Sequence, residues 1–153
     1  MLKVITKIKQ WLDYRKRGIK VYGFWTATNV YPTAQIGNGV QIGWGCEIGN
    51  AIIETGARVG AFCFIPEGVT IRHHAWIGPR VTFTNDRFPP NPKEKWEKTE
   101  VMSYGRLGAA VTVICGNTIG TGALIGSGSV VTKNVPPSET WCGVPATKMI
   151  KRS

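Results

Sequence analysis

Acidic residues are scarce in this sequence, nine against nineteen lysines and arginines, and charge of either sign makes up 18% of its 153 residues. Soluble domains usually carry about 25% charged residues and about 7% glycine. With 19 glycines and so little charge, the chain is neither a disordered tail nor a helical bundle. Its only histidines, His73 and His74, are adjacent, and its four cysteines, Cys46, Cys63, Cys115 and Cys142, form no C-x-x-C pair. Neither a zinc site nor a redox motif follows from that inventory, so no metal is expected and the cysteines read as small buried thiols in a reduced compartment. No apolar run reaches the roughly 18 residues that would cross a bilayer, and the N-terminus lacks the pattern of a cleaved signal. The expectation is a single cytoplasmic domain.

The surplus of ten positive charges is concentrated at the ends. Residues 1–20 carry Lys3, Lys7, Lys9, Arg15, Lys16, Arg17 and Lys20 against Asp13 alone, and Lys148, Lys151 and Arg152 close the chain. The body between them is nearly neutral. A nucleic-acid binder needs a basic face on the folded body, so no nucleic-acid partner is expected.

The informative feature is a period of six. Val30, Ile36, Ile42 and Ile48 are followed, after a one-residue deletion, by Ile53, Val59, Ile65, Ile71, Ile77 and Phe83. A second run is Leu107, Val113, Ile119, Ile125 and Val131. Two residues before most of these stands a small or β-branched residue, such as Ala34, Val40, Cys46, Ala57, Cys63, Val81 or Ser129, and glycine often follows, as in Ile42-Gly43 and Ile77-Gly78. Inward residues at i−2 and i fit the alternation of a short strand, with the glycine relieving steric limits on the turn. Three such sides close a triangular coil, and coils stack at about 4.8 Å. The series fills about five coils.

This pattern, over residues 28–136, is identified as the hexapeptide repeat of the left-handed parallel β-helix. The fold expected is therefore all-β, with a basic amphipathic helix over 1–18, a β-helix over 28–136 broken by one protruding loop at 84–106, and a basic tail over 137–153. The resemblance implies a homotrimer with active sites in the clefts between prisms. In the helix, Leu2, Ile5, Ile8, Trp11 and Leu12 recur at helical spacing between cations. Two readings stand: a cap over the open end of the coil stack, or a contact with an anionic membrane surface.

Many hexapeptide O-acetyltransferases have a histidine base in a W-I-G-x-H context, whereas here Trp76-Ile77-Gly78-Pro79-Arg80 ends in an arginine that stays protonated. The segment Ile77-Gly78-Pro79-Arg80-Val81-Thr82-Phe83-Thr84-Asn85-Asp86-Arg87-Phe88-Pro89, with Trp96 and Gly143-Val144-Pro145-Ala146, resembles N-acetyltransferases of nucleotide-linked 3-amino sugars. Pro90 departs from it, standing where that family has arginine, with Arg87 as the available substitute. The resemblance implies acetyl-coenzyme A as acyl donor, a dTDP- or UDP-linked amino sugar as acceptor, and a role in surface-polysaccharide synthesis.

An amine of pKa about 8 is partly unprotonated at neutral pH and needs no histidine base. Asn85 is expected to orient the attacking amine and Asp86 to attract its ammonium form or take its proton; alternatively both open the turn where the chain leaves the prism. Trp76, Arg80, Thr84, Arg87 and Phe88 are the candidate acceptor contacts, Trp76 facing outward either to flank the sugar nucleotide or to pack in a trimer. The resemblance puts Ala109, Ser127, Thr132 and Lys133 in the coenzyme groove. Lys148 and Lys151 are candidates for its 3′-phosphate or a solvated tail. Gly108 and Ala109 offer backbone N–H groups for an oxyanion. Two other functions remain open on sequence: an O-acetyltransferase with His73 or His74 as base, and a non-catalytic β-helix binding module.

Overall fold

Outside its N-terminal helix the chain is built almost wholly from two-residue strands in which the first residue points out and the second in. Gln41–Ile42, Glu47–Ile48, Phe64–Ile65, Trp76–Ile77 and Leu124–Ile125 all follow this rule, and every one of these isoleucines is fully buried. The computed structural model describes residues 2–24 and 27–150; Trp25 and Lys151 lie outside the described residues.

Successive strands go to three faces in rotation, each pairing in parallel with the strand one coil below and one coil above. Face 1 runs from Lys20–Val21 through Gln41–Ile42, Arg58–Val59, Trp76–Ile77, Arg106–Leu107 and Leu124–Ile125 to Thr140–Gly143. Face 2 runs from Asn29–Val30 through Phe64–Ile65 and Thr82–Phe83 to Val130–Val131, and face 3 from Gln35–Ile36 through Val69–Ile71 and Thr99–Val101 to Thr118–Ile119. Seven coils are stacked on face 1 rather than five. The first and last escape the hexad count because Val21 and Trp141 do not continue the sixfold series, yet they pair in register with Ile42 and Ile125. A short antiparallel strand, Ala146–Lys148, closes the C-terminal end.

The glycines that follow the repeat aliphatics have a different cause from the turn freedom expected of them. They are not the left-handed residues of the corners; those lie two positions later and include Phe62, His74, Arg80, Tyr104 and Ala110. A Cβ at Gly60 would stand 2.5 Å from the Pro79 nitrogen, and one at Gly78 would stand 2.7 Å from the Gly108 carbonyl carbon. Glycine is needed there because the next coil's backbone passes over it.

Both ends of the core are covered. The helix Leu2–Lys16 lays Tyr14 and Trp11 on the first coil, where Tyr14 meets Phe24 edge-on at 5.8 Å and Gln10 donates to the Val30 carbonyl. Arg17 donates to Asn38 Oδ1 and the Ile36 carbonyl, tying the helix exit to the stack. The buried side of the helix is thus Gln10, Trp11 and Tyr14; of the expected stripe Trp11 turns to the core, whereas Ile5, Ile8 and Leu12 are exposed. At the other end, Trp141 fills the last inward position and donates its indole N–H to Glu139, with the Lys133 ammonium 5.3 Å from its ring.

The loop is shorter than expected. The chain leaves the prism after Phe83 and is back in face 3 by Thr99–Val101, which pairs with Val69–Ile71 below and Thr118–Ile119 above. Val101 is six residues before Leu107 and so continues the period; its i−2 partner, Thr99, is a buried polar residue whose hydroxyl has no partner among the described residues, which disguises the repeat.

Candidate functional site

The protruding segment, residues 84–98, emerges at the corner between faces 2 and 3. Its neck is closed by backbone, the Glu97 N–H donating to the Asn85 carbonyl at 2.9 Å. Thr84 Oγ1 accepts from the Cys115 N–H at 2.9 Å, which anchors the exit strand to the coil above. Arg87 is held at the base of the loop. Its guanidinium donates to both Glu97 carboxylate oxygens, at 2.8 and 3.2 Å, and to the Cys115 carbonyl. Gly116, with φ +79°, makes room for this clamp: a Cβ there would overlap Glu97 Oε2 and stand 2.8 Å from Arg87 Nη2.

Asp86 also works within the loop. Its carboxylate accepts from the Phe88 N–H (3.1 Å), the Asn91 N–H (2.7 Å) and the Asn91 side-chain amide (2.8 Å). Desolvation raises its pKa, but the hydrogen bonds from Asn91 and Phe88 together outweigh it and hold the carboxyl below its ordinary value. A carboxylate so stabilised is a poor proton acceptor and has few lone pairs left for a substrate ammonium. Phe88, at the tip, is 77% exposed.

Asn85 is different. Its side-chain amide makes no hydrogen bond among the described residues and lines a cavity of about 500 Å³ beneath the loop, with Tyr31, Glu47, Phe64, Glu67, Lys93 and Trp96 around it. Phe64 and Glu47 are the outward residues of two adjacent face 2 strands, so the coil register alone brings them together. Lys93, on a short 3-10 turn of the loop, reaches down to Glu67 at 2.7 Å and pins the loop over the cavity. Among the described residues Glu47 accepts only from the neutral Asn29 amide, at 2.9 Å. The cavity therefore has aromatic walls, the amides of Asn85 and Asn50, and in Glu47 a carboxylate without a cationic partner among the described residues.

The expected coenzyme contacts are split between two corners of the prism, Thr132 and Lys133 being on the corner from which the loop emerges, two coils above it. Ala109 and Ser127 stack on the corner between faces 1 and 2, the Ala109 N–H donating to Ser127 Oγ at 3.1 Å. The Gly108 N–H is held in the coil ladder by the Ile125 carbonyl at 2.8 Å, so of the two oxyanion donors only Ala109, bonded to a hydroxyl that can turn away, is open to exchange. Thr132 and Lys133 are exposed where the chain leaves face 2, beside the C-terminal cap. Lys148 is ion-paired to Glu139 at 2.6 Å. His73 and His74 sit on the corner between faces 3 and 1, away from the loop. His73 meets Glu54 at 3.1 Å, and His74 stacks on Tyr104 at 5.5 Å while covering Gly56. Among the described residues no group of three or more His, Cys, Asp or Glu side chains is placed to hold a metal ion.

No protein-family model matches this sequence. It is 32% identical over 140 residues to serine acetyltransferase 2 of Arabidopsis thaliana, an alignment that covers 92% of this chain and 36% of the plant protein. It superposes with a TM-score of 0.72 on PerB of Caulobacter crescentus, solved with CoA and GDP-perosamine, at 22% identity over 94% of this chain and 66% of that one. A variant of AntD, an N-acyltransferase from Bacillus cereus solved with dTDP-4-amino-4,6-dideoxyglucose and coenzyme A, matches with a TM-score of 0.69 and 20% identity, over 94% and 89% of the two chains. This chain has the hexapeptide-repeat acetyltransferase fold. It spans about a third of the length of the plant enzyme.

Within the hexapeptide fold, the residue before each inward aliphatic is the outward residue of a strand, and those one coil apart share a face. That rule would have gathered Glu47 with Phe64 on face 2, and Arg58 with Trp76 and Arg106 on face 1. The sequence reading singled out only Trp76 among them. Trp96 belongs to the motif that resembles the amino-sugar N-acetyltransferases, and its place in the cavity wall depends on the path of the loop.

Proposed function

We propose that this hexapeptide-repeat chain transfers an acetyl group from acetyl-coenzyme A to the amino group of a nucleotide-linked sugar, in a homotrimer serving surface-polysaccharide synthesis. The observation that carries this reading is the cavity under the loop: an unpartnered Asn85 amide and the Glu47 carboxylate between the aromatic walls Phe64 and Trp96, with no histidine among its lining residues. Such a lining suits an amine, which arrives as an ammonium attracted by Glu47 and attacks once deprotonated. It suits a hydroxyl less, since a carboxylate is a much weaker base than the imidazole that hydroxyl acceptors are paired with.

Asn85 accepts an amine N–H through its side-chain oxygen and so aims the nitrogen lone pair. The C–N bond forms at the thioester carbonyl carbon, the oxygen takes the negative charge, and collapse breaks the C–S bond to release the thiolate. The ammonium's first proton goes to solvent before attack, and the second, on nitrogen once the C–N bond has formed, passes to Glu47, the role first expected of Asp86, or leaves with the thiolate. Ala109 and Ser127 are small residues on an open corner, which suits an extended thioester arm, and the Ala109 N–H supplies a donor for the oxyanion. Asn85 and the Ala109–Ser127 edge stand on different corners of one prism. A site that unites them takes one corner from each of two copies, which supports the trimer.

Thiol release from acetyl-coenzyme A should occur with nucleotide-linked 3-amino or 4-amino sugars and not with their hydroxyl counterparts or with serine. Turnover with hydroxyl acceptors alone would return the argument to His73 and His74, and failure to bind coenzyme A would leave a binding module. Sedimentation should give three copies; a stable monomer with full turnover would remove the shared site.

The same reading includes contact of the N-terminal helix with an anionic membrane surface, beyond its role as a cap. Val4, Ile5, Ile8 and Leu12 are 43–58% exposed and form one stripe beside the buried side, with Lys9, Arg15 and Lys16 along it. Vesicles containing phosphatidylglycerol should co-float the protein and phosphatidylcholine vesicles should not. Ile8→Asp/Leu12→Asp should abolish flotation with the melting temperature unchanged; flotation that survives it would exclude the stripe.

A further inference from the structure

The seven described arginines fall into two groups. Arg17, Arg72 and Arg87 are ion-paired, to Asp13, to Glu54 and Glu100, and to Glu97, while Arg15 lies over the Trp11 ring at 4.9 Å. Arg58, Arg80 and Arg106 have no side-chain hydrogen bond or ion pair among the described residues, and all three are exposed. They are neighbours. Arg58 and Arg106 pair in register with Trp76 from the coils below and above, so the outward column of face 1 reads arginine, tryptophan, arginine at the strand spacing of about 4.8 Å. Arg80 stands at the corner into which the Trp76 strand runs.

Trp76 is 44% exposed. Among the described residues no cation lies over its indole and no other ring stacks on it, so an aromatic face is open to solvent between two unneutralised guanidinium groups. A cleft of about 290 Å³, lined by Gly56, Arg58, His74, Ala75 and Trp76, opens beside it. Gly56 is needed at its floor because the His74 ring lies over that residue, and Tyr104 stacks on His74 from above. The wall of the cleft is thereby fixed. Nothing in the packing of the prism calls for three unpaired arginines on one side, and holding them within neighbouring coils costs mutual repulsion.

We propose that this column is the site for the nucleoside diphosphate part of the acceptor, which rests on the function proposed above. The planar base stacks on Trp76, a contact of about 1–3 kcal/mol for single bases. Arg58 and Arg106 hold the phosphates through paired N–H donors, as planar guanidinium groups do and lysine does not. Arg80, at the corner toward face 2, meets the phosphate next to the sugar. The outward residues that flank the column on face 1, Gln41 below and Leu124 above, are uncharged, and the next cation, Lys20, is two coils below Arg58, so the column is a short cationic site rather than a continuous track.

The test is calorimetric titration of the full-length protein with dTDP, UDP and GDP, with thymidine and inorganic pyrophosphate as partial ligands, and needs no acyl transfer. At least one nucleoside diphosphate should bind, thymidine and pyrophosphate each at least tenfold more weakly. Arg58→Ala/Arg106→Ala should weaken binding by tenfold or more, Arg58→Lys/Arg106→Lys should recover only part of it, and Trp76→Phe should bind better than Trp76→Ala. These side chains are exposed, so thermal melts and oligomeric state should match those of the parent. Unchanged affinity in the double alanine variant would overturn the site, as would pyrophosphate binding as tightly as the nucleoside diphosphate. Loss of the trimer in the arginine variants would assign the column to a subunit contact instead, and preference for single-stranded nucleic acid over nucleoside diphosphate would also overturn it. Nucleotide binding without acetyl transfer would keep this site and overturn the transferase reading; transfer with an unaltered acceptor KM in the double variant would do the reverse.

Discussion

Asn85→Ala should lower kcat by about a hundredfold and leave the KM for the sugar nucleotide within about threefold. The size of the effect follows from geometry: misplacing an attacking atom by about 1 Å costs on the order of 10²-fold in rate. Asn85 suits this role because its backbone and side chain have separate duties. The carbonyl closes the loop neck with the Glu97 N–H, which alanine retains, whereas the side-chain amide of this cavity-lining residue has no hydrogen-bond partner among the described residues to lose. Removing it should therefore leave stability nearly unchanged, and a melting temperature within about 2 °C of the parent is expected for a surface change of under about 0.5 kcal/mol. The discriminating measurement is the split between kcat and KM with the amine acceptor. A large rise in KM at constant kcat would make Asn85 a binding residue only, and unchanged turnover would remove it from the mechanism.

Gly116→Ala should cost more in stability and nearly as much in activity, although Gly116 is not proposed to touch substrate. At φ +79° alanine pays the left-handed penalty of about 1–2 kcal/mol. The new methyl also overlaps Glu97 Oε2 and crowds Arg87, so the ion pair that joins the two ends of the loop must open. With the clamp lost, Asn85 and Trp96 are no longer fixed over the cavity, and kcat should fall at least tenfold. Gly128→Ala provides the control, because Gly128 has φ +71° and nothing within 4 Å of an added Cβ. It carries the backbone penalty without the collision. Proteolysis within residues 84–98 should be faster in Gly116→Ala and unchanged in Gly128→Ala. If the two variants behave alike in melting temperature, cleavage and turnover, the clamp does not hold the loop.

Both predictions concern residues at opposite ends of what sequence can disclose. Asn85 was legible because Asn and Asp standing where a strict hexad stops mark the point at which the chain leaves the coils. Gly116 was not, since its neighbours Arg87 and Glu97 are 29 and 19 positions away and meet it only because one coil lies above the other. Asp86 and Arg87 read equally well as site residues in the linear pattern; only the structure assigns their polar groups to Asn91, Phe88, Glu97 and Cys115. Glu47 carries no distinguishing mark in the sequence, being one of several polar residues before a repeat aliphatic.

The sequence alone determined the parallel coil architecture, the buried aliphatic columns and the position of the loop exit, because a period of six fixes which side chains turn inward without reference to anything distant. It determined the amphipathic helix as well, though not which side the helix buries. Tertiary structure decided which outward residues become neighbours. Contacts across 17 or 18 residues, such as Glu47 with Phe64 or Arg58 with Trp76, depend on exact coil length, and the one-residue deletion before Ile53 and the 84–98 excursion both reset that count. The core tolerates such resets, since any aliphatic fills an inward slot; the surface chemistry does not, since it depends on which charged and aromatic side chains the resulting register stacks together.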